Sequence, residues 1–321
     1  MAIARDAGPV VRRRLLVSAA VAVAAVLLTA HDYSAQTLTY TSGQPVSPAF
    51  EGWETAPDGT SSFIFGYMNN NWDEEINVPV GPDNGFNVLG VDLGQPTRFL
   101  PRRNRFIFKV KVPKDFGNKE LVWTLKTNGV TEKAYATLRQ DYFLDTVTVA
   151  SETGALGAGS SNPTMRSNKA PVVQLDGAKT RSVKVGQPLE LTAVVTDDGI
   201  PKGAVIGQGP QQPTPAQLAR RAQMPPVRLT VGKWLGLHLS WFVYRGPGKV
   251  TFDPLQVKVW EDTRAGANSP WAPVWAAPPV PEGGKYIVNA VFDTPGTYVL
   301  RARADDGALL DDQELTVTVT Q

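Results

Sequence analysis

The 321-residue sequence contains no cysteine. That excludes disulfides, thiolate metal sites, a cysteine nucleophile and a lipid-modified N-terminal cysteine, so an exported chain of this kind relies on packing alone. Histidine is nearly absent too: His31 and His238 are the only two. A single histidine in the body of the chain excludes the familiar His-rich zinc sites, and no Gly-x-Ser-x-Gly elbow accompanies it to complete a Ser-His-Asp triad. No GxGxxG occurs, and GPGKV (Gly246–Val250) lacks the Walker spacing, so no phosphate cradle is present. An excess of either charge is also missing. The net charge is +2, but the first 35 residues carry Arg5, Arg12, Arg13 and Arg14 against Asp6 and Asp32. The remainder is neutral, which gives no electrostatic reason to expect nucleic acid or an anionic membrane surface.

What is present reads as an exported β protein. Arg12–Arg14 followed by the uncharged run Leu15–Leu28 and a polar exit ending at Ala35 form a signal peptide over residues 1–35. Fourteen apolar residues fall short of the roughly 20 that a membrane helix needs, so cleavage is expected and no stable membrane span remains. Residues 36–150 read as a first β domain. SSFIFGYMN (Ser61–Asn69) is rich in strand formers, and RFIFKVKVP (Arg105–Pro113) alternates with Phe106, Phe108, Val110 and Val112 on one face. Asn128-Gly129, between two strand-like runs, predicts a two-residue type I′ hairpin. Val78–Asn104, with four Pro and four Gly, is expected to be a long loop. Residues 151–170 are poor in large apolar side chains and read as a flexible linker.

Residues 171–321 hold eight short alternating runs: VVQL, SVKV, LELTAVVT, LHLSWFVY, KVTF, KYIVNAVF, TYVLRARA and ELTVTVT. Two irregular stretches interrupt them, 199–236 and 261–284. In the first, Thr214 and Pro215 open a candidate short helix that Pro225-Pro226 closes. The series APVVQLDG, LTAVVTDDG, LHLSWFVYRGPGKVTF, VFDTPGTYVLRARADDG and ELTVTV resembles the PKD-type, immunoglobulin-like domain of secreted bacterial proteins. The resemblance implies an antiparallel β-sandwich with Trp241 in its core, and a spacer, adhesive or carbohydrate-contacting role. The whole is therefore expected to be all-β, two antiparallel sandwiches behind a signal peptide. The first domain resembles no family of known function.

Three groups of residues are candidates for a site. If Leu189–Thr196 is strand B and Thr297–Ala304 strand F, the B–C and F–G loops share a pole. Asp197, Asp198, Asp305 and Asp306 then converge, and several carboxylates on loops suit Ca²⁺; the alternative is that Asp-Gly simply suits tight turns. Ca²⁺ is the one cofactor the residues point to. Trp53, Trp72, Trp271 and Trp275 fall in or beside loops and are candidates for a ligand surface, set against the alternative of core packing. Asp73-Glu74-Glu75 supplies carboxylates for a glycosidase pair or simply an acidic turn.

The reading that follows is a non-catalytic binding or adhesion module, secreted or periplasmic, with a polysaccharide or envelope protein as partner. The alternatives are a glycoside-active hydrolase with an acidic cleft in the first domain, and a structural envelope subunit.

Overall fold

The alternation seen in sequence becomes strands in a computed structural model that describes residues 40–152, 166–201, 233–234, 236–260, 275–276 and 279–321. The signal peptide, the 214–224 helix and most of the linker lie outside the described residues.

The first lobe is built from β1 (Val46–Thr55), β2 (Ser61–Asn69), β3 (Ile76–Asn77), β4 (Asn84–Phe86), β5 (Arg98–Phe99), β6 (Arg102–Val112), β7 (Leu121–Thr127) and β8 (Val130–Ala136). An antiparallel sheet β1-β2-β6 faces a second sheet β4-β7-β8, with β3-β5 as a short separate pair. The expected hairpin joins β7 to β8, with Asn128 at φ 48° and Gly129 at φ 77°. Phe63, Phe65, Phe108 and Trp123 fill the space between the sheets; the Phe108 and Trp123 rings meet edge-on at 5.1 Å. Each such side chain contributes on the order of 1.5–3 kcal/mol by burial.

Two expectations need correction here. Val78–Asn104 is not one open loop: β4 and β5 lie inside it, and Asn84 and Gln95 are buried. Asn84 earns its burial with both amide hydrogens, donating to the carbonyls of Val78 and Pro96 at 3.0 and 2.8 Å. The alternation of β6 also breaks. The register slips between Phe65 and Tyr67 on β2, opposite a bulge in which Phe106 sits at φ 52°. Beyond that bulge the faces exchange. Ile107 joins the main core, while Phe106 turns to the opposite face and packs with Ile64 and Leu144. That outer cluster seats a helix the sequence did not announce, α1 (Thr146–Glu152), whose first turn is capped by Asp145 accepting from the Thr148 backbone at 2.7 Å.

The second lobe contains β9 (Val172–Leu175), β10 (Thr180–Lys184), β11 (Pro188–Thr196), β12 (Lys233–Trp234), β13 (His238–Arg245), β14 (Val250–Asp253), β15 (Trp275–Ala276), β16 (Lys285–Phe292), β17 (Gly296–Asp305) and β18 (Leu310–Thr320). Sheet β10-β18-β17-β13 faces sheet β14-β16-β11-β9, and β10 runs parallel to β18. The two irregular stretches touch through the short parallel pair β12-β15. Trp241, Leu191, Phe292 and Leu300 lie in the core between the sheets. At the start of β17 the Tyr298 hydroxyl donates 2.8 Å back to the Thr294 carbonyl, the tyrosine corner of immunoglobulin-like sandwiches.

A stand-alone sandwich leaves the outer face of such a sheet to water. Here Ser240, Phe242, Tyr244, Arg301 and Arg303, on the outer face of β13 and β17, are all buried. Phe242 and Tyr244 belong to the core of the first lobe. Arg301 lies 3.5 Å over the Tyr244 ring and donates to the Ile107 carbonyl and to Glu314. Arg303 pairs with Asp312 through two bonds of 2.8 and 2.7 Å. Arg245 grips Asp92 with both terminal nitrogens at 2.9 and 2.8 Å and donates to the Gln95 carbonyl at 2.9 Å. The Tyr244 hydroxyl donates to the Gly94 carbonyl. Residues Tyr40–Gln321 accordingly form one compact unit.

Candidate functional site

The Asp-Asp-Gly loops leave the ends of β11 and β17. They are tied to one another by the residues just before β9. Asn168 donates 3.1 Å to Asp306 Oδ2, and the next residue, Lys169, donates its backbone N–H 3.0 Å to Asp198 Oδ2. A third tie follows at Val173, whose N–H reaches Asp311 Oδ2 at 2.9 Å. Both loops therefore meet the same short segment at one end of the sandwich.

Much of the carboxylate capacity goes into shaping the loops. Asp197 Oδ2 accepts from the Gly199 N–H at 2.8 Å, and Asp198 Oδ1 accepts from Ile200 at 2.9 Å. Asp305 Oδ1 accepts from Gly307 at 2.6 Å, and Asp306 Oδ1 from Ala308 and Leu309 at 2.6 and 2.7 Å. These are side chains turning back on their own backbone, the use of Asp that favours turns. Asp305 also ends a strand, opposite His238.

Some capacity is left over. Asn168 is 7% exposed and its Oδ1 has no hydrogen-bond partner; Asp197 Oδ1 is buried and equally unpartnered. Burial pushes the Asp306 carboxyl up to about 6, with Asp305 adding to the effect, and burial with Asp198 beside it raises Asp197. These are oxygen ligands with unmet electrostatic demand, which fits a hard cation. Among the described residues, however, no three His, Asp or Glu side chains gather as a metal-holding group. All four aspartates accept from backbone of their own turns, and the buried oxygens left without a partner here are Asn168 Oδ1 and Asp197 Oδ1. Asn168 was missed because it sits in the Ser- and Asn-rich stretch taken as linker. The Ser-Asn pair just ahead of β9 was the available signal.

The tryptophans fare unevenly. Trp72 is 8% exposed and covered by the Arg102 guanidinium, 4.0 Å from the ring centre, so it offers no open face. Trp53 is half-buried, with Nε1 donating 2.8 Å to the Arg139 carbonyl. Trp271 and the side chain of Trp275 lie outside the described residues. The open aromatics among the described residues are Tyr40, Tyr135, Tyr142 and Phe143, none of them singled out by the sequence. Tyr142 and Phe143, at 44% and 40% exposure, rest edge-on against Phe50 and Trp53 at 5.4 and 5.0 Å. Two adjacent rings in the polar stretch LRQDYFLD were the signal.

The acidic turn gives no paired cleft. Glu74 Oε2 accepts from the Gly43 N–H at 2.6 Å, and Glu75 bonds Arg98 at 2.8 Å. His238 is buried on its strand, with Nδ1 3.0 Å from the Gly236 carbonyl. Among the described residues no helix is long and apolar enough to cross a membrane.

No family model matches the sequence, and no curated protein matches it as a relative. Solved structures give distant likenesses. The chain is similar to the PKD domain of an M14-like peptidase from Thermoplasmatales archaeon SCGC AB-540-F20, at 18% identity and TM-score 0.23 over 48% of this chain and 100% of that one. It is similar to fibronectin(III)-like modules of CbhA from Clostridium thermocellum, at 10% identity and TM-score 0.21 over 86% of this chain and 95% of that one. It is also similar to the S-layer protein rSbsC(31-844), at 8% identity and TM-score 0.23 over 86% of this chain and only 28% of that one. Likenesses this slight carry no function across. The PKD- and immunoglobulin-like character of the second lobe stands on its own strand order and tyrosine corner.

Proposed function

We propose that this chain is an exported, non-catalytic module of a bacterial envelope or the extracellular space that acts by surface contact with a polysaccharide or envelope protein. The observation that carries the reading is the weld between the lobes. The Arg301 guanidinium on the Ile107 carbonyl, the Tyr244 hydroxyl on the Gly94 carbonyl and the Arg245–Asp92 fork hold two sandwiches in one fixed body. Charge placed this way gives rigid presentation, and Glu74 and Glu75 are committed to other partners. The same weld supports a structural envelope subunit as the second reading, since a strut needs fixed geometry as much as a presenter does.

Ca²⁺ belongs to this proposal. Asp197, Asp198, Asp305 and Asp306, with Asn168 beside Asp306, would hold it, and the ion would neutralise the Asp197 and Asp306 carboxyls that burial raises while joining the β9, β11 and β17 ends. At about 10 mM Ca²⁺ a site with Kd on the order of 10⁻⁴–10⁻³ M adds roughly 1–3 kcal/mol. The expected outcome is a melting temperature of the processed chain that rises with Ca²⁺ and returns with EDTA, and no such rise in Asn168→Ala. Equal responses of the two proteins would discard the ion.

The export and non-catalytic parts are tested by expressing the full chain with a C-terminal tag in a Gram-negative host. Recovery of a shortened chain in periplasm or medium is expected. An intact chain retained in the cytoplasm would sink the export reading, and release of reducing sugar from polysaccharide by the purified protein would sink the non-catalytic one.

A further inference from the structure

The sequence contains two Asn-Gly pairs, Asn84-Gly85 and Asn128-Gly129. Asparagine is chemically labile, and most so before glycine, whose missing side chain leaves its nitrogen open to approach. That backbone nitrogen attacks the asparagine Cγ, a C–N bond closes a succinimide ring, and the side-chain amide leaves as ammonia with the proton taken from the nitrogen. Water then opens either ring carbonyl and returns aspartate or, with the chain rerouted through the side chain, isoaspartate. The reaction needs an amide free to swing onto the next nitrogen, and it needs water and hydroxide at that nitrogen. The fold treats the two pairs oppositely.

Asn84 is buried, with Nδ2 donating to the carbonyls of Val78 and Pro96 and Oδ1 accepting from Trp123 Nε1 at 3.0 Å. Its amide cannot turn without breaking all three bonds, and Gly85 is paired with Thr124 between β4 and β7. Asn128 and Gly129 instead form the exposed tip of the β7–β8 hairpin. The ladder closes through Thr127 and Val130, so the turn leaves the Gly129 nitrogen outside it. Freeing the Asn128 amide takes the rupture of a surface bond, Nδ2 to the Gln44 carbonyl at 2.9 Å. Loop tips open at far lower free energy than core strands do.

That surface bond has a structural use, because the chain entering β1 is clamped between two turns. The Gln44 N–H donates 2.7 Å to Asn71 Oδ1, and the Gln44 carbonyl accepts from Asn71 Nδ2 at 2.8 Å as well as from Asn128. The Val46 N–H donates 2.8 Å to Thr127 Oγ1, next to the reacting residue. We propose that Asn128-Gly129 is a self-modification site, at which the folded chain converts its own asparagine to aspartate and isoaspartate and so releases the hairpin tip from the start of β1. The product carboxylate has no hydrogen to donate and sets a negative charge against the Gln44 carbonyl oxygen. Isoaspartate also lengthens the backbone of a two-residue turn that fixes Thr127 opposite Val130. The Asn71 bonds remain, so the loosening is confined to the hairpin side of the clamp.

The test is incubation of the processed protein at mildly alkaline pH, followed by peptide mass mapping, which reads the exchange of NH for O. Aspartates before glycine can isomerise but keep their mass, so they do not enter the readout. In the folded protein the peptide carrying Asn128 is expected to convert, faster as pH rises, and to split into two chromatographic isomers. The peptide carrying Asn84 must await opening of the core and is expected to convert slower by a factor on the order of a thousand or more. In urea the two should convert at similar rates. Comparable conversion of both in the folded chain would overturn the site, as would an unconverted Asn128 over a time in which the urea-unfolded chain reacts. Hydrogen exchange reads the consequence: the Gln44 and Val46 amides should exchange faster in the converted fraction, and in Asn128→Asp, than in unconverted protein. Unchanged exchange in both would overturn the release of β1.

Discussion

Asp306 is 1% exposed, and its carboxyl is pushed up from 3.8 to about 6 by burial. At pH 7.5 without Ca²⁺ it is ionised in both the folded and unfolded chain, and the folded state carries the desolvation cost. At 1.36 kcal/mol per pH unit the difference between 3.8 and about 6 is worth about 3 kcal/mol. Because the folded value is the raised one, this group's contribution is fully present below about pH 4 and is lost as pH rises through about 6. Asp306→Asn removes the charge and keeps an oxygen for the Ala308 and Leu309 N–H groups. Its new amide faces Asn168, whose Oδ1 has no partner and needs only a turn of the Asn168 amide to accept. The variant should therefore be more stable than wild type by about 1–3 kcal/mol at pH 7.5 in EDTA, and as stable or less so at pH 4.5. Urea unfolding across pH 4.5–8 in EDTA measures this. Wild-type stability should fall over that range while Asp306→Asn stays comparatively level. Parallel pH profiles, or a variant weaker than wild type by more than about 1 kcal/mol at pH 7.5, would refute the argument that Asp306 is held as a desolvated charge.

Two further predictions concern the frame. Arg301→Ala strips the cover from the Tyr244 ring and leaves the buried Ile107 carbonyl without its donor, so it should cost about 2–4 kcal/mol. Calorimetry should then resolve two transitions where wild type gives one; a single transition at an unchanged midpoint would contradict the weld. Tyr298→Phe removes the hydroxyl that donates to the Thr294 carbonyl and meets the Gly248 backbone, and should cost about 1–2 kcal/mol in denaturant unfolding with no change in slope; a null effect would mean that the corner is ornamental to stability.

Much of the architecture was legible because it is local. The run SSFIFGYMN matches β2, and the eight proposed runs of the second lobe each find a strand. What periodicity mistook on β6 is instructive. Phe106 and Phe108 share a parity in sequence, yet the bulge at Phe106 sends them to different clusters. Alternation marks a face only while the pleat is unbroken. The candidate site was half legible. The Asp-Gly turns announced themselves, but Asn168 lies 138 residues from Asp306, and only the folded chain brings the two together. Trp72 read as a surface tryptophan until Arg102, 30 residues on, covered it.

The sequence by itself determined the strands, the Asn128-Gly129 hairpin and the turn chemistry of the aspartates, because each depends on dihedral preference and spacing within a few residues. Only the tertiary structure decided that the outer face of β13 and β17 is an interior. Arg301 and Arg303 alternate with Leu300, Ala302 and Ala304 as solvent-facing residues of a free sandwich would. The burial of that face depends on Ile107, which Arg301 bonds, Gly94, which Tyr244 bonds, and Asp92, which Arg245 bonds, all at least 150 residues away in the chain. No local pattern encodes that meeting, because it follows from two lobes each leaving a face that the other covers.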